Sequence, residues 1–180
     1  LGEVLHRRHT AQWPQALVEG VPRQKLACDE LETVGRWLQQ PETLPAAQDR
    51  WGRAFHAVWQ RQSERIGALH GRAQALQQAL AEREPRLHPC HTDLHAGNLL
   101  MGQDGALHLI DWDGLSLAPR ERDLMFVGAA VGGRWGRERP QGFAEGYGDD
   151  LGDAQWIAWY RHARILQDLV EFQQMLMGGD

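Results

Sequence analysis

Cysteine is scarce in this chain and lysine nearly absent: Cys28 and Cys90 are the only cysteines, and Lys25 the only lysine, among 180 residues. Two cysteines make no disulfide framework, which leaves a reducing, cytoplasmic setting as the default. Lys25 stands in a proline-bounded loop with no strand pattern around it. No apolar run approaches the length that spans a bilayer, and the N-terminus lacks a signal-peptide pattern, so no membrane partner is expected. Basic residues are outnumbered 19 to 24, for a formal charge of −5. That balance argues against a general nucleic-acid surface and would suit a cationic small molecule. Neither an internal repeat nor a low-complexity tail is present. Tryptophan is abundant, at eight residues, and most are expected in the core or in pocket walls, since a large ring is costly to leave in water. A chain of this length is one domain, or one lobe of a larger enzyme, and can bury a real core.

The informative stretch is His91-Thr92-Asp93-Leu94-His95-Ala96-Gly97-Asn98, followed by Leu107-His108-Leu109-Ile110-Asp111-Trp112-Asp113. Between them an apolar run, the turn signal Asp104-Gly105 and a second apolar run read as a β-hairpin. A hairpin would bring Asn98, near the start of one strand, beside Asp111, near the end of the other. With Asp93, three oxygen-bearing side chains then converge. Oxygen-only ligand sets suit hard cations such as Mg²⁺, which keeps several waters and shares its remaining positions with substrate phosphates. The layout is that of a phosphoryl-transfer site.

The pattern H-x-D-x-x-x-x-N followed by I-D-W-D resembles the catalytic and metal-binding loops of the aminoglycoside phosphotransferase family, itself similar to protein kinases. The run from Leu117 to Phe126 extends the resemblance and is particularly similar to spectinomycin-type members, while Leu1 to His9 resembles the helix that opens the family's C-terminal lobe. The resemblance implies an α+β fold, mostly α: a protein-kinase-like C-terminal lobe of helices with a small β-hairpin carrying the catalytic and metal loops. It implies ATP-dependent phosphoryl transfer to a hydroxyl of an aminoglycoside or similar small molecule, with antibiotic resistance as one outlet. Kinases of choline, homoserine or methylthioribose are the alternatives within that class. Mg²⁺ and ATP, or another nucleoside triphosphate, are the implied cofactors. Asp93 would be the base at the acceptor hydroxyl, with Asn98 and Asp111 holding the metal that bridges the nucleotide phosphates. Asp113 would support a second metal or contact substrate if the strand continues past Asp111. His91 would brace the loop, His95 would be loop scaffold, and Asp123 would tie the following helix back to the loop.

Such an enzyme also needs an N-terminal lobe with a β-sheet, a phosphate-covering loop and a lysine for the α- and β-phosphates. Nothing before His91 has that pattern, and Lys25 is poorly placed for it. Residues 1–180 are therefore expected to be the C-terminal lobe alone, with little turnover by itself. An uncovered hinge-side surface would be open to self-association.

Elsewhere the sequence reads as helix. Leu1, Val4, Leu5 and Arg8 make one stripe; Asp29 opens a helix through Leu31, Val34, Trp37 and Leu38 that ends before Pro41. From about Ala46 to Glu84, Trp51, Phe55, Val58, Ile66, Leu69, Ala73, Leu76 and Leu80 form a buried stripe, with Gly67 and Gly71 as places for a bend. Gly114 to Pro119 reads as loop and Arg120 to about Val131 as helix; Gly132 to Gly136 reads as a mobile or tightly turned segment. A short helix over 141–147 and a long one from Asp153, an N-cap, to Met177 complete the chain. Glu145, Asp149, Asp150 and Asp153, beside Tyr147, Trp156 and Trp159, could receive a protonated amino-sugar through ion pairs and cation–π contact. Two readings compete: a zinc hydrolase built on His88, Cys90, His91, Asp93 and His95, and a non-catalytic pseudokinase module.

Overall fold

The computed structural model describes residues 1–47, 49–130, 134–135 and 142–177. In chain order its helices are α1 (Gly2–Thr10), α2 (Gln15–Val18), α3 (Asp29–Gln39), α4 (Arg50–Leu80), α5 (Glu121–Leu124), α6 (Phe143–Tyr147) and α7 (Ala154–Met177). The strands are β1 (His88–Cys90), β2 (Leu99–Met101), β3 (Leu107–Leu109), β4 (Ser116–Ala118), β5 (Ala129–Ala130) and β6 (Arg134–Trp135), paired as three two-stranded antiparallel ribbons. The chain is mostly helical, as expected. It divides into two compact units, Leu1–Lys25 with Glu84–Ile157, and Leu26–Arg83 with the chain from Ala158 onward. No helix among the described residues is long and apolar enough to cross a membrane.

The first unit contains all the residues of the central stretch. The expected hairpin forms from β2 and β3, in the register Leu99 to Leu109 and Met101 to Leu107. Its turn uses Gly105 at φ +77°, a left-handed conformation that glycine adopts without a Cβ clash. The Asp104 carboxylate accepts from the Ala106 amide at 3.0 Å to close it. A second ribbon joins β1 to β4, with His88 opposite Ala118 and Cys90 opposite Ser116. The sequence reads as loop over 114–119 because three residues are too few to show alternation. Pro89 in β1, lacking a donor, weakens the signal further. The other edge of β4 is met by the segment before Lys25: Leu117 donates to the Pro22 carbonyl at 2.7 Å and accepts from Gln24 at 2.9 Å. The helix expected over 120–131 stops at Leu124. Turns carry the chain through Gly128, at φ +82°, into β5. Apart from β6, the segment expected to be mobile or tightly turned lies outside the described residues, as does Gln141 at the start of the expected short helix.

α1 buries Leu5 and His9 and lies against α6. The two backbones approach so closely that a Cβ on Gly146 would sit 2.8 Å from the Glu3 nitrogen. Arg7, Arg8 and His9 occupy the last turn of α1, where the helix dipole favours positive charge.

In the second unit, α3 starts with Asp29, Glu30 and Glu32 in its first turn and buries Leu31, Val34, Gly35 and Trp37. Its partner α4 runs for 31 residues without the break considered at Gly67 and Gly71. A side chain at either glycine would meet nothing within 4 Å, so neither position imposes a bend. The Asp49 carboxylate caps α4 through the amides of Trp51 and Gly52. The residues buried on α4 include Gly52, Trp59, Ile66, Ala73 and Leu80, one per heptad. The expected stripe was thus offset at its start, since Trp51 is 52% and Val58 47% exposed. Trp37 meets Trp59 edge-on at 5.6 Å, and His70 donates from Nε2 to the Leu31 carbonyl at 2.9 Å. In α7, Trp159, Tyr160, Ala163, Leu166, Val170 and Gln173 are buried at three- and four-residue steps, as the pattern predicts.

Candidate active site

The loop from His91 to Asn98 is held from beneath by one carboxylate. Asp123, fully buried at the end of the first helical turn after Pro119, accepts from the His91 amide at 3.1 Å and the Thr92 amide at 2.8 Å. A buried carboxylate needs such donors to offset its lost hydration. It joins helix α5 to the loop, the connection expected of it. His91 is also buried, and its ring is fully engaged: Nε2 donates to the Ile110 carbonyl at 2.7 Å and Nδ1 accepts from the Asp93 amide at 3.3 Å. These partners assign a neutral ring with its proton on Nε2. His91 therefore braces the loop against the end of the hairpin.

Thr92 is at φ +71° and Asp111 at φ +63°, the two positive-φ residues other than glycine among the described residues. A β-branched residue there is strained by about 1–3 kcal/mol. Thr92 is held in place by its amide bond to Asp123 and by its hydroxyl, which donates to the Gly114 carbonyl at 2.9 Å. Turning the backbone at Thr92 redirects the next residue, Asp93.

Asn98 donates from Nδ2 to the Asp93 carbonyl at 2.9 Å, which leaves Oδ1 as its atom for a cation. Its own carbonyl accepts from the Ile110 amide at 3.1 Å, extending the hairpin ladder by one step. Asn98 thus stands opposite Ile110, and Asp111 is the next residue, exposed at the hairpin's end. The hairpin sets Asn98 and Asp111 at the same end of the ladder, one on each strand. An amide oxygen beside a carboxylate is a donor set that fits a hard cation. Asp113 is different. Strand β3 ends at Leu109 and Asp111 turns left-handed, so the alternation that would put Asp113 on the same face does not continue. His95 does more than scaffold: Nδ1 accepts from the Gly97 amide at 3.0 Å, and Nε2 lies 3.5 Å from Asp93 Oδ2. A Cβ on Gly97 would come within 2.9 Å of His95 Cε1, so the glycine makes room for the ring.

Beside the hairpin, an open cleft of about 790 Å³ is lined by Leu1, Val4 and Arg8 of α1 and by Met101, Leu109 and Trp112. The Arg8 guanidinium lies 3.9 Å from the centre of the Trp112 ring and 5.4 Å from that of Trp13. Its Nε is buried without a partner, and burial lowers its pKa despite the nearby Asp123 charge.

The five residues of the zinc reading are not gathered as ligands. Both His91 nitrogens are taken, and the Cys90 thiol faces the Ala118 and Pro119 carbonyls. One grouping of three donors occurs among the described residues: His9, Cys90 and Asp123, all buried, with ligand atoms within 4.8 Å of one another. Burial raises the Cys90 thiol well above its usual range and keeps it protonated, and Asp123 is already occupied by His9 and two amides. This group is a hydrogen-bonded network. The acidic loop is likewise committed in part. Asp150 pairs with Arg120 at 2.6 Å, which holds its carboxyl below the usual range. Asp153 caps α7 by accepting from the Gln155 amide at 2.8 Å. Tyr147, Trp156 and Trp159 are buried, so their ring faces are core rather than cation receptors. Glu145 and Asp149 remain exposed. The sequence reads Tyr147 as a cation-receiving ring and gives no sign that it bonds His9, or that Arg120 pairs with Asp150, since these partners lie far apart in the chain.

The family model described as "Phosphotransferase enzyme family" matches residues 1–163. A crystal structure of spectinomycin phosphotransferase, APH(9)-Ia, in complex with ADP and spectinomycin matches with a TM-score of 0.84 at 31% identity, over 98% of this chain and 54% of that one. Choline kinase LicA from Streptococcus pneumoniae matches at 0.55 and 19% identity, over 98% and 54%. Plasmodium vivax ethanolamine kinase matches at 0.53 and 15%, over 99% and 53%; with these two the likeness is of fold alone. The chain spans about half the length of these solved relatives. No curated protein sequence matches it.

Proposed function

Because the chain belongs to the phosphotransferase enzyme family, we propose that it takes part in moving a phosphoryl group from ATP, or another nucleoside triphosphate, to a hydroxyl of a small cationic acceptor, spectinomycin or a similar aminoglycoside foremost. The observation that carries this reading is the Asp93 loop, strained at Thr92, bonded to Asp123 and set beside a hairpin that pairs Asn98 with Ile110, the residue before Asp111. Asp93 orients the acceptor hydroxyl and takes its proton, a contribution of about 10²–10⁴-fold in rate. Asn98 Oδ1 and Asp111 would hold Mg²⁺, which supplies positive charge to the phosphate oxygens. Asp113, outside the strand, is a weaker candidate for a second metal. The cleft between α1 and the hairpin is mixed, with Val4, Leu109 and Trp112 beside Glu3, Arg7 and His108, and offers an aromatic face and polar groups to a nucleotide. Residues 1–180 are read as the C-terminal, catalytic lobe, with full turnover expected only beside a lobe that covers the nucleotide. Two free, buried thiols suit a reducing cytoplasm.

Calorimetric titration of the chain with spectinomycin and other aminoglycosides, with and without Mg-ATP, tests the acceptor. Saturable binding of an aminoglycoside is the expected result. Heat from choline or ethanolamine instead would move the acceptor to an ordinary metabolite. No heat from any hydroxylated acceptor under either condition would remove the kinase reading in favour of a non-catalytic module.

A further inference from the structure

We propose that Tyr147 and His9, with the Arg120 charge behind them, form a one-way chain of hydrogen-bond donors that sets the position of the catalytic loop through Asp123, so that His9 and Tyr147 are positioning residues for the reaction. The inference rests on the role given to Asp93 above. Tyr147 Oη lies 2.8 Å from His9 Nδ1, and His9 Nε2 lies 3.2 Å from Asp123 Oδ2. The same carboxylate receives the amides of His91 and Thr92, the two residues before Asp93. At the outer end the Arg120 charge acts on the Tyr147 hydroxyl and is itself paired with Asp150 at 2.6 Å.

The direction of each bond is set by chemistry. Asp123, as a carboxylate, only accepts, so His9 donates from Nε2. Burial pushes the Tyr147 phenol up to about 12, so it keeps its proton. The Arg120 charge acting on the phenol favours its lone pairs toward the guanidinium and turns its hydrogen to His9 Nδ1, 2.8 Å away. His9 is thereby the neutral tautomer protonated on Nε2. Every donor points toward Asp123, and bonds aligned in this way polarise one another where water is excluded. His9, Tyr147 and Asp123 are all buried. The other polar groups facing the chain include His88, with its ring 5.8 Å from that of His9, the protonated Cys90 thiol, Arg8, the buried Glu121 beside Arg120, and His6 Nδ1, 2.6 Å from the Tyr147 carbonyl. The chain joins three elements, α6, α1 and α5, to the one strained residue of the loop, Thr92. Without Tyr147, Nδ1 is a buried acceptor with no donor, and the ring is free to rotate away from Asp123.

Long-range ¹H–¹⁵N spectra of the full chain read the His9 ring directly. The expected signature is an unprotonated Nδ1 and a protonated Nε2. Tyr147→Phe should shift Nδ1 and speed amide exchange at His91 and Thr92 about fivefold or more, the scale of one lost net hydrogen bond. Exchange at Ile110, bonded to Asn98, should stay unchanged, which separates loop release from general loosening. In turnover, the same change should lower kcat with little effect on the acceptor KM. Imidazolium signals from both nitrogens, or unaltered exchange at His91 and Thr92, would overturn the proposal. Should Tyr147→Phe fail to fold, Arg120→Gln removes the charge acting on the phenol from a partly exposed site. It should still shift the His9 signals, and a His9 spectrum identical to that of the unaltered chain overturns the proposal equally. The spectra and exchange rates need no turnover. A chain that shows both effects yet phosphorylates no acceptor would therefore refute the functional reading and leave the coupling from Tyr147 to the loop standing.

Discussion

In the proposed reaction Asp93 acts through its oxygens, and the residues around it hold the backbone and carboxylate in place. The left-handed Thr92 turns the backbone, the His91 ring receives the Asp93 amide, and the His95 ring approaches its carboxylate. Asp93→Asn keeps size and shape and removes the base. It should leave the circular dichroism spectrum unchanged and cut the phosphorylation rate by about 10²–10⁴-fold. A loss under twofold in a coupled assay would take the base role away from it. His95→Phe removes the ring nitrogen nearest Asp93 and should lower kcat more than it raises the acceptor KM; equal effects on both would return His95 to scaffold. Asp93, Asn98 and Asp111 were legible in sequence because their spacing is local and the turn between them is explicit. His9 and Tyr147 were not, because what identifies them is a contact between residues 138 apart. Asp153 was legible as the cap of α7, whereas Asp150 was legible as a charge but not as an occupied one, since its partner Arg120 cannot be read from an acidic run.

The hairpin and the long helices were legible because each repeats a signal: a turn with a left-handed glycine, or an apolar period carried over several turns. Ribbon β1–β4 was hidden by its shortness. The end of α5 was hidden by the turns after Leu124, where Gly128 sends the chain into β5. The tightest element contact is between α1 and α6, where two backbones meet at Gly146 with no room for a methyl group. Gly146→Ala forces them apart and should cost about 1–3 kcal/mol in urea unfolding, the usual range for overpacking. Gly67→Ala in α4 meets empty space and should gain up to about 1 kcal/mol through helix propensity. If both changes proved neutral, the close approach of α1 and α6 would be wrong.

On the scale of the molecule, the near absence of lysine isolates an alkaline signal that other proteins obscure. Burial pushes Cys28 from 9.0 up to about 12 and Tyr147 from 10.0 up to about 12, and drives Cys90 upward as well. A group whose folded pKa is raised stabilises the fold fully below its unfolded pKa, because both states then hold the proton. As pH climbs from about 9 toward about 12, the unfolded chain releases protons that the folded chain must keep, and that stability is lost. With Lys25 the only lysine and arginine charged throughout, few other groups titrate in that window. The melting temperature, measured with a reductant present, should therefore hold from neutral pH to about 9 and fall steadily above it. Cys28→Ala removes one of the three contributors and should make the fall shallower, whatever it does to stability at neutral pH. A melting temperature that stays level up to about pH 11, or a Cys28→Ala variant with an unchanged slope, would mean that the thiol and phenol are far better hydrated than their burial implies.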